Sequence, residues 1–238
     1  MPNAQRDDLW NVVKYPCIGR WGFTNLHTAS NSRFDAALKR LLSAGGANED
    51  AILDIGCCVG QVLRHFAYKG VDPARLFGTD LHPEFIGIGD ELFKDKGRGP
   101  TFVAGDMLDA DDEPLKALDG KVTMVQAANF FHLFTWDDQV KIGSRIIRFL
   151  KPGTTDAVIF GRQIGTIKPR AIEVLQGRYL HDQSSFQRLW DEIGEKTGTK
   201  WRVEAEVIEG VPVTLPVFGE DERYIRFGVY QVSPPAIP

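Results

Sequence analysis

Three acidic residues in the first half of the chain stand at the ends of short apolar runs. Asp54 lies in the run 51–55, Asp80 closes the run 75–80, and Asp106 closes 101–106, with Met107 directly after it. Directly after the first run sits Gly56-Cys57-Cys58-Val59-Gly60. Carboxylates accept hydrogen bonds and attract positive charge; glycines let a backbone come close to a ligand. Asp80 lies about twenty residues past the glycine turn, a spacing at which a carboxylate can accept both hydroxyls of a ribose. Asp106 is placed to face an adenine amino group. This donor set supplies no cation for a pyrophosphate. It suits a ligand with hydroxyls, an amine and a positive centre, which favours S-adenosylmethionine (SAM) over NAD.

The elements that must hold these residues are legible around the turn. The run 51–55 is rich in β-branched residues and reads as a strand. Gln61 to Tyr68 reads as a helix with Val62, Leu63 and Phe66 on one buried face. Strand, glycine turn and helix open a nucleotide-type α/β fold, and the helix N-terminus offers free N–H groups to a ligand.

Asp54-Ile-Gly-Cys-Cys-Val-Gly60, Asp80 and Asp106-Met107 together resemble the first three motifs of the Rossmann-like SAM-dependent methyltransferases, over roughly residues 48–162. Cys58 departs from the pattern, because the usual residue there is glycine. Its side chain either narrows the space beside the methionine part of SAM or points into the sheet-helix packing. A narrower resemblance is carried by Tyr15-Pro-Cys-Ile-Gly-Arg20, Gly56–Gln61, Phe130-Phe-His-Leu-Phe-Thr-Trp136, Gly161-Arg-Gln-Ile-Gly165 and Gly198-Thr-Lys-Trp201. These segments resemble the small methyltransferases of fungal meroterpenoid and polyketide pathways. That group is associated with methyl-ester formation on prenylated aromatic acids.

The resemblance implies a three-layer α/β sandwich whose seven-stranded, mainly parallel sheet ends in an antiparallel pair. It implies SAM as cofactor, with S-adenosylhomocysteine as product. The cofactor-contacting residues are read as Asp54, Gly56, Cys57, Gly60, Asp80, Leu81, Asp106, Met107 and Ala127. Leu81 and Met107 flank the adenine, and Asp54 holds the loop or a water near the amino group.

On the acceptor side the candidates are His132, Phe131, Arg162, Gln163, Tyr15 and Arg20. His132 follows the fourth strand, on the edge where open α/β sheets bind ligands. Three roles are open to it: orienting a substrate oxygen, acting as a base toward a hydroxyl, or capping its own turn. Arg162 and Gln163 are read as the end of the fifth strand, Arg162 pairing with a substrate carboxylate and Gln163 orienting it. Phe131 lines an apolar wall. His181 leads into a helix and can reach the substrate; His27, His65 and His82 are surface or packing residues. A carboxylate is ionised at neutral pH and attacks without a base, whereas a phenol or alcohol needs one.

The rest of the chain supports one domain over 1–238. Residues 1–45 hold an aromatic segment containing Tyr15, Trp21 and Phe23, broken by Pro16, Gly19 and Gly22, and then a helix 32–42. The segment is open to two readings: a strap packed on the core, or a lid that excludes water. The helix carries a Ser N-cap, with Phe34, Ala37, Leu38, Leu41 and Leu42 on one face, and is ended by Gly45-Gly46. Further helices are expected at 83–94, 136–150 and 182–196, and strands at 121–128, 156–162, 201–208 and 224–232. Residues 163–181 read as an irregular insert near the substrate, and 234–238 as a frayed tail.

Composition narrows the functional classes. Hydrophobic residues at 43% and charged residues at 25% are ordinary for a soluble globular chain. A net charge of −4 argues against nucleic acid as partner. No run is long enough to span a membrane, and the N-terminus lacks the apolar core of a signal peptide. Three cysteines, two of them adjacent, suit neither a disulfide framework nor a metal site. The expected protein is cytoplasmic, a monomer or homodimer, acting on a small apolar acid. Three rivals stand beside methyl-ester formation: hydroxyl methylation with His132 as base, a SAM-binding cyclase or isomerase, and a SAM-binding regulatory protein.

Overall fold

The computed structural model describes residues 2–24, 31–43, 50–214 and 217–232. The expected Gly45-Gly46 helix stop, His27, Pro216 and the tail 234–238 lie outside them. A seven-stranded sheet has the order β3-β2-β1-β4-β5-β9-β8, formed by β1 (Ile52–Ile55), β2 (Leu76–Asp80), β3 (Thr101–Ala104), β4 (Met124–Gln126), β5 (Val158–Thr166), β8 (Trp201–Val207) and β9 (Glu222–Gln231). A separate hairpin pairs β6 (Arg170–Ile172) with β7 (Arg178–Leu180). The pairs β1–β2, β2–β3 and β4–β5 are parallel; β9 is antiparallel to both β5 and β8. The chain divides into two compact units between Leu118 and Asp119.

The first unit opens with α1 (Pro2–Val12), a helix that the residue pattern did not suggest, followed by the short α2 (Pro16–Gly19). Proline starts α2, where its missing N–H costs nothing. Helix α3 (Ser32–Leu42) has its expected span, but its cap is Asn31, whose side chain accepts from Arg33 N at 3.0 Å. Phe34, Ala37 and Leu41 are buried, while Leu42 is 47% exposed and leaves the apolar face. Helix α4 (Gln61–Tyr68) follows the glycine turn and buries Val62, Leu63 and Phe66 as expected. Helix α5 (Pro83–Phe93) buries Phe85 and Gly89; Phe93, expected in its apolar face, is 41% exposed. The short α6 (Glu113–Lys116) is capped by Asp112. His65 stacks near Phe34 and His82 near Phe85, so both are packing residues.

The second unit contains β4, α7 (Trp136–Phe149), β5 and the elements after it. Thr135 caps α7 and accepts from Asp138 N; Asp182 caps α8 (Gln183–Thr197) in a reciprocal capping box with Ser185. Phe186, Leu189, Trp190 and Ile193 are the buried face of α8. Two boundaries differ from expectation. Strand β4 is only three residues long, with Val122 forming an isolated bridge to Leu150. Strand β5 continues to Thr166, so Arg162 and Gln163 lie inside it, not at its end. The region expected to be irregular from 163 is therefore strand first, and then the β6–β7 hairpin.

Candidate functional site

In the first unit the glycine turn is built by positive φ at three alternating positions: Gly56 at 67°, Cys58 at 51° and Gly60 at 65°. A cysteine in the left-handed region costs about 1 kcal/mol relative to glycine. That is the physical reason a glycine suits this position. Cys57 N–H donates to the Thr79 carbonyl at 3.0 Å, and Gly60 N–H to the Cys57 carbonyl at 2.8 Å. Cys58 N–H donates to Asp80 Oδ2 at 2.9 Å, and His82 N–H to Asp80 Oδ1 at 3.1 Å. The acid closing β2 is thus tied directly to the turn after β1. Burial raises the Asp80 pKa, and the backbone N–H bonds from Cys58 and His82 pull it back down.

The other first-unit candidates surround this bond pattern. Asp54 is buried in β1, in register with Gly78 of β2. Asp106 lies past the end of β3 and accepts from Leu108 N at 2.8 Å, while its own N–H donates to Asp112 Oδ2 at 2.8 Å. Met107 is buried and Leu81 is 56% exposed. Cys58 lies against a cluster of Leu9, Ile18, Phe23, Val59 and Phe85, with Tyr15 and Trp21 also packed there. Cys58 and Val59 of the glycine turn thus share a cluster with residues of the N-terminal elements. Tyr15 is half-buried at the start of α2, and Arg20 is exposed at its end.

In the second unit, Ala127 is buried and its N–H donates to the Phe160 carbonyl at 2.9 Å. Phe131 is fully buried with its ring near Phe186, Trp190 and Phe227. It is core, and the short helical turn 131–133 continues into His132. Burial, and then the charge of Arg178, lower the His132 pKa to about 3. Its Nδ1 is buried without a hydrogen-bond partner. Gln163 is fully buried, and both ends of its amide lack partners. Arg162 stacks over the Tyr224 ring at 4.6 Å, and burial lowers its pKa. Successive strand residues face opposite sides. Arg162 and Gln163 therefore project to opposite faces of β5.

The expectation for His181 is corrected. Its Nε2 lies 3.0 Å from Gln139 Oε1 and its Nδ1 lies 3.1 Å from Ser185 Oγ, so both nitrogens are engaged in the core. Gln139 uses its amide N–H groups on the Phe134 and Tyr179 carbonyls, which assigns the Nε2 proton to His181.

A methyltransferase-domain family profile matches residues 52–153. Over 209 residues the chain is 39% identical to "O-methyltransferase phiE" of Fungal sp. (strain ATCC 74256), covering 86% of this chain and 68% of that one. The chain belongs to the SAM-dependent methyltransferases. A second relative of this methyltransferase is "O-methyltransferase atr3" of Stereocaulon alpinum, 35% identical over 234 residues, or 96% of this chain and 66% of the relative. The chain thus spans about two thirds of the length of these relatives. Among solved structures, the Haemonchus contortus phosphoethanolamine N-methyltransferase 2 complex with S-adenosylhomocysteine aligns with a TM-score of 0.62. Identity is 18%, over 97% of this chain and 61% of that one. That likeness bears on fold alone.

SAM is the methyl donor of this family, and the residues here fit it. Asp80 presents a carboxylate whose bonds are to backbone N–H groups, with no cation paired to it among the described residues. Such a group has acceptor capacity left for a diol. No cluster of metal-ligating side chains occurs among the described residues.

One cluster behind the glycine turn was not foreseen from the residue pattern. Arg64 of α4, 8% exposed, donates to both oxygens of Asp95 at 2.8 Å, to Asp90 at 2.9 Å and to the Val59 carbonyl. Gly89, a glycine inside a helix, marks close approach of α5 to the turn and could have directed attention there. A Cβ at Gly89 would lie 2.6 Å from the Val59 carbonyl oxygen.

Proposed function

We propose that this chain is an O-methyltransferase that forms a methyl ester on a carboxyl group of a small, largely apolar acid of fungal polyketide or meroterpenoid type. The observation that carries the reading is His132, whose pKa near 3 leaves the imidazole neutral and a weak base at pH 7. A general base works best with a pKa near the operating pH. A carboxylate acceptor is already ionised and needs no base. Bound SAM supplies an activated methyl group on a sulfonium. The chain's task is to orient an acceptor oxygen in line with it and to exclude water.

In this reading Asp80 accepts the ribose hydroxyls and Asp106 the adenine amino group, with Leu81 and Met107 beside the ring. Gln163 and neutral His132 orient the acceptor, because both hold buried hydrogen-bonding atoms with no partner of their own. Arg162, on the other face of β5, is left to its stack on Tyr224. No described helix is long and apolar enough to cross a membrane.

The test is incubation with SAM and a panel of apolar aromatic acids and phenols. Methyl-ester formation gives S-adenosylhomocysteine and a product heavier by one methylene, which mild alkaline hydrolysis reverses. An alkali-stable ether would establish the hydroxyl reading instead. A product of unchanged mass without S-adenosylhomocysteine would establish a cyclase or isomerase.

A further inference from the structure

We infer that Arg64 is a positioning residue for the cofactor, setting the geometry of the glycine turn from behind through the Val59 carbonyl. The inference rests on the turn and Asp80 being the SAM site proposed above.

The guanidinium is locked on every side. Asp95 takes it in a two-pronged pair, Asp90 adds a third bond, and the rings of Phe93 and Phe102 cover its two sides at 4.8 Å each. Such a fork is pre-organised, and lysine cannot reproduce it. The remaining nitrogen, Nη1, donates to the Val59 carbonyl. That carbonyl belongs to the Val59–Gly60 peptide, whose N–H donates to the Cys57 carbonyl at 2.8 Å. A peptide unit is planar, so fixing its oxygen and its N–H fixes the orientation of the whole unit. Gly60 then has φ at 65°, and a Cβ there would run into Phe102 and come within 2.7 Å of Arg64 Nη1. Gly89 backs the same carbonyl from α5. Two residues back along the turn, Cys58 N–H holds Asp80. The connection from Asp95 and Asp90 through Arg64 to Val59, Cys57, Cys58 and Asp80 is unbroken. Arg64 acts through the backbone of the turn.

The test is calorimetric binding of S-adenosylhomocysteine to purified wild type, Arg64→Lys, Asp95→Asn and Asp80→Asn, with thermal unfolding of each alongside. Arg64→Lys keeps the charge and one bond to a carboxylate but loses the fork. We expect about a tenfold weaker Kd for S-adenosylhomocysteine in Arg64→Lys and a smaller loss, about threefold, in Asp95→Asn. The acceptor KM at saturating SAM stays within about twofold of wild type. If the folded fraction of Arg64→Lys binds with wild-type affinity while its Tm falls, Arg64 is merely structural and the inference is overturned. If Arg64→Lys does not fold, Asp95→Asn carries the test, and an unchanged Kd there overturns it equally. If Asp80→Asn binds as wild type does, the placement of the cofactor site itself is wrong.

Discussion

Arg162 and Gln163 are neighbours in sequence and occupy opposite faces of β5, one stacked on Tyr224 and the other fully buried with both ends of its amide unpaired. Arg162 has its guanidinium stacked on Tyr224 with Nε buried and unbonded, whereas Gln163 has no partner at either end of its amide.

Gln163→Met is the direct consequence. Methionine matches glutamine in length and removes two unsatisfied polar atoms, so the ligand-free protein should gain about 1–3 kcal/mol of stability in urea unfolding. The same change should raise the acceptor KM about tenfold, the worth of one lost hydrogen bond at roughly 1.4 kcal/mol. Arg162→Met should leave the acceptor KM within about twofold and lower stability by about 0.5–1 kcal/mol, the usual size of a cation–π contact. Equal effects of the two variants on KM would contradict the assignment.

Asp80→Asn should weaken S-adenosylhomocysteine binding by about 10- to 100-fold, because two hydrogen bonds to a charged acceptor are each worth roughly 1.5–3 kcal/mol and one oxygen remains. Far-ultraviolet circular dichroism should be unchanged, since that oxygen can still accept from Cys58 or His82 N–H.

Acid should destabilise the fold well above the pH at which ordinary carboxylates protonate. Burial, before any charge effect, lowers the pKa of both His132 and His181 to about 3, against 6.5 for the free side chain. Between those values the unfolded chain binds more protons than the folded one, so stability falls as pH falls. From pH 7 to pH 5.5 each histidine should withdraw about 1 kcal/mol. The raised Asp80 pKa works in the opposite direction and offsets a part of this at the acid end. His181→Gln should remove about half of the slope in urea unfolding measured at the two pH values.

The rate should not depend on His132 titrating. With that imidazole neutral throughout, kcat for an acid acceptor should be flat from about pH 6 to about pH 8, because no essential group changes its charge in that window. His132→Asn should raise the acceptor KM and leave the shape of the profile unchanged. An acid limb with a midpoint near the ordinary histidine pKa of about 6.5 that disappears in His132→Asn would instead make His132 a base.

Local code made the strand, turn and helix around Gly56 to Tyr68 readable, because positive φ at Gly56 and Gly60 and the apolar period of α4 are written into adjacent residues. The ends of α7 and α8 were readable for the same reason, through Thr135 and Asp182. Strand β5 was read too short because Gly161 and Gly165 dilute its pattern. Both are glycine because of close approach: a Cβ at Gly161 would strike the Ala127 carbonyl, and one at Gly165 would lie 2.5 Å from the His181 carbonyl. Those neighbours are remote in sequence and leave no local mark. The same holds for Arg64 with Asp90 and Asp95, and for His181 with Gln139, 42 positions apart. Helix α1 was missed because Leu9 is the one apolar residue of its central turns that reaches the core.

The seat of Cys58 beneath Leu9, Ile18 and Phe23 makes the protein a carrier of its own chemical probe. Cys17 is exposed, Cys57 is buried, and burial pushes the Cys58 thiol far above its ordinary pKa. An alkylating reagent should therefore modify the exposed Cys17 quickly and the half-buried Cys58, with its raised thiol pKa, more slowly. In a Cys17→Ser background, the remaining labelling rate and its retardation by S-adenosylhomocysteine should report how far the neighbouring cluster and the bound nucleoside shield the Cys58 thiol.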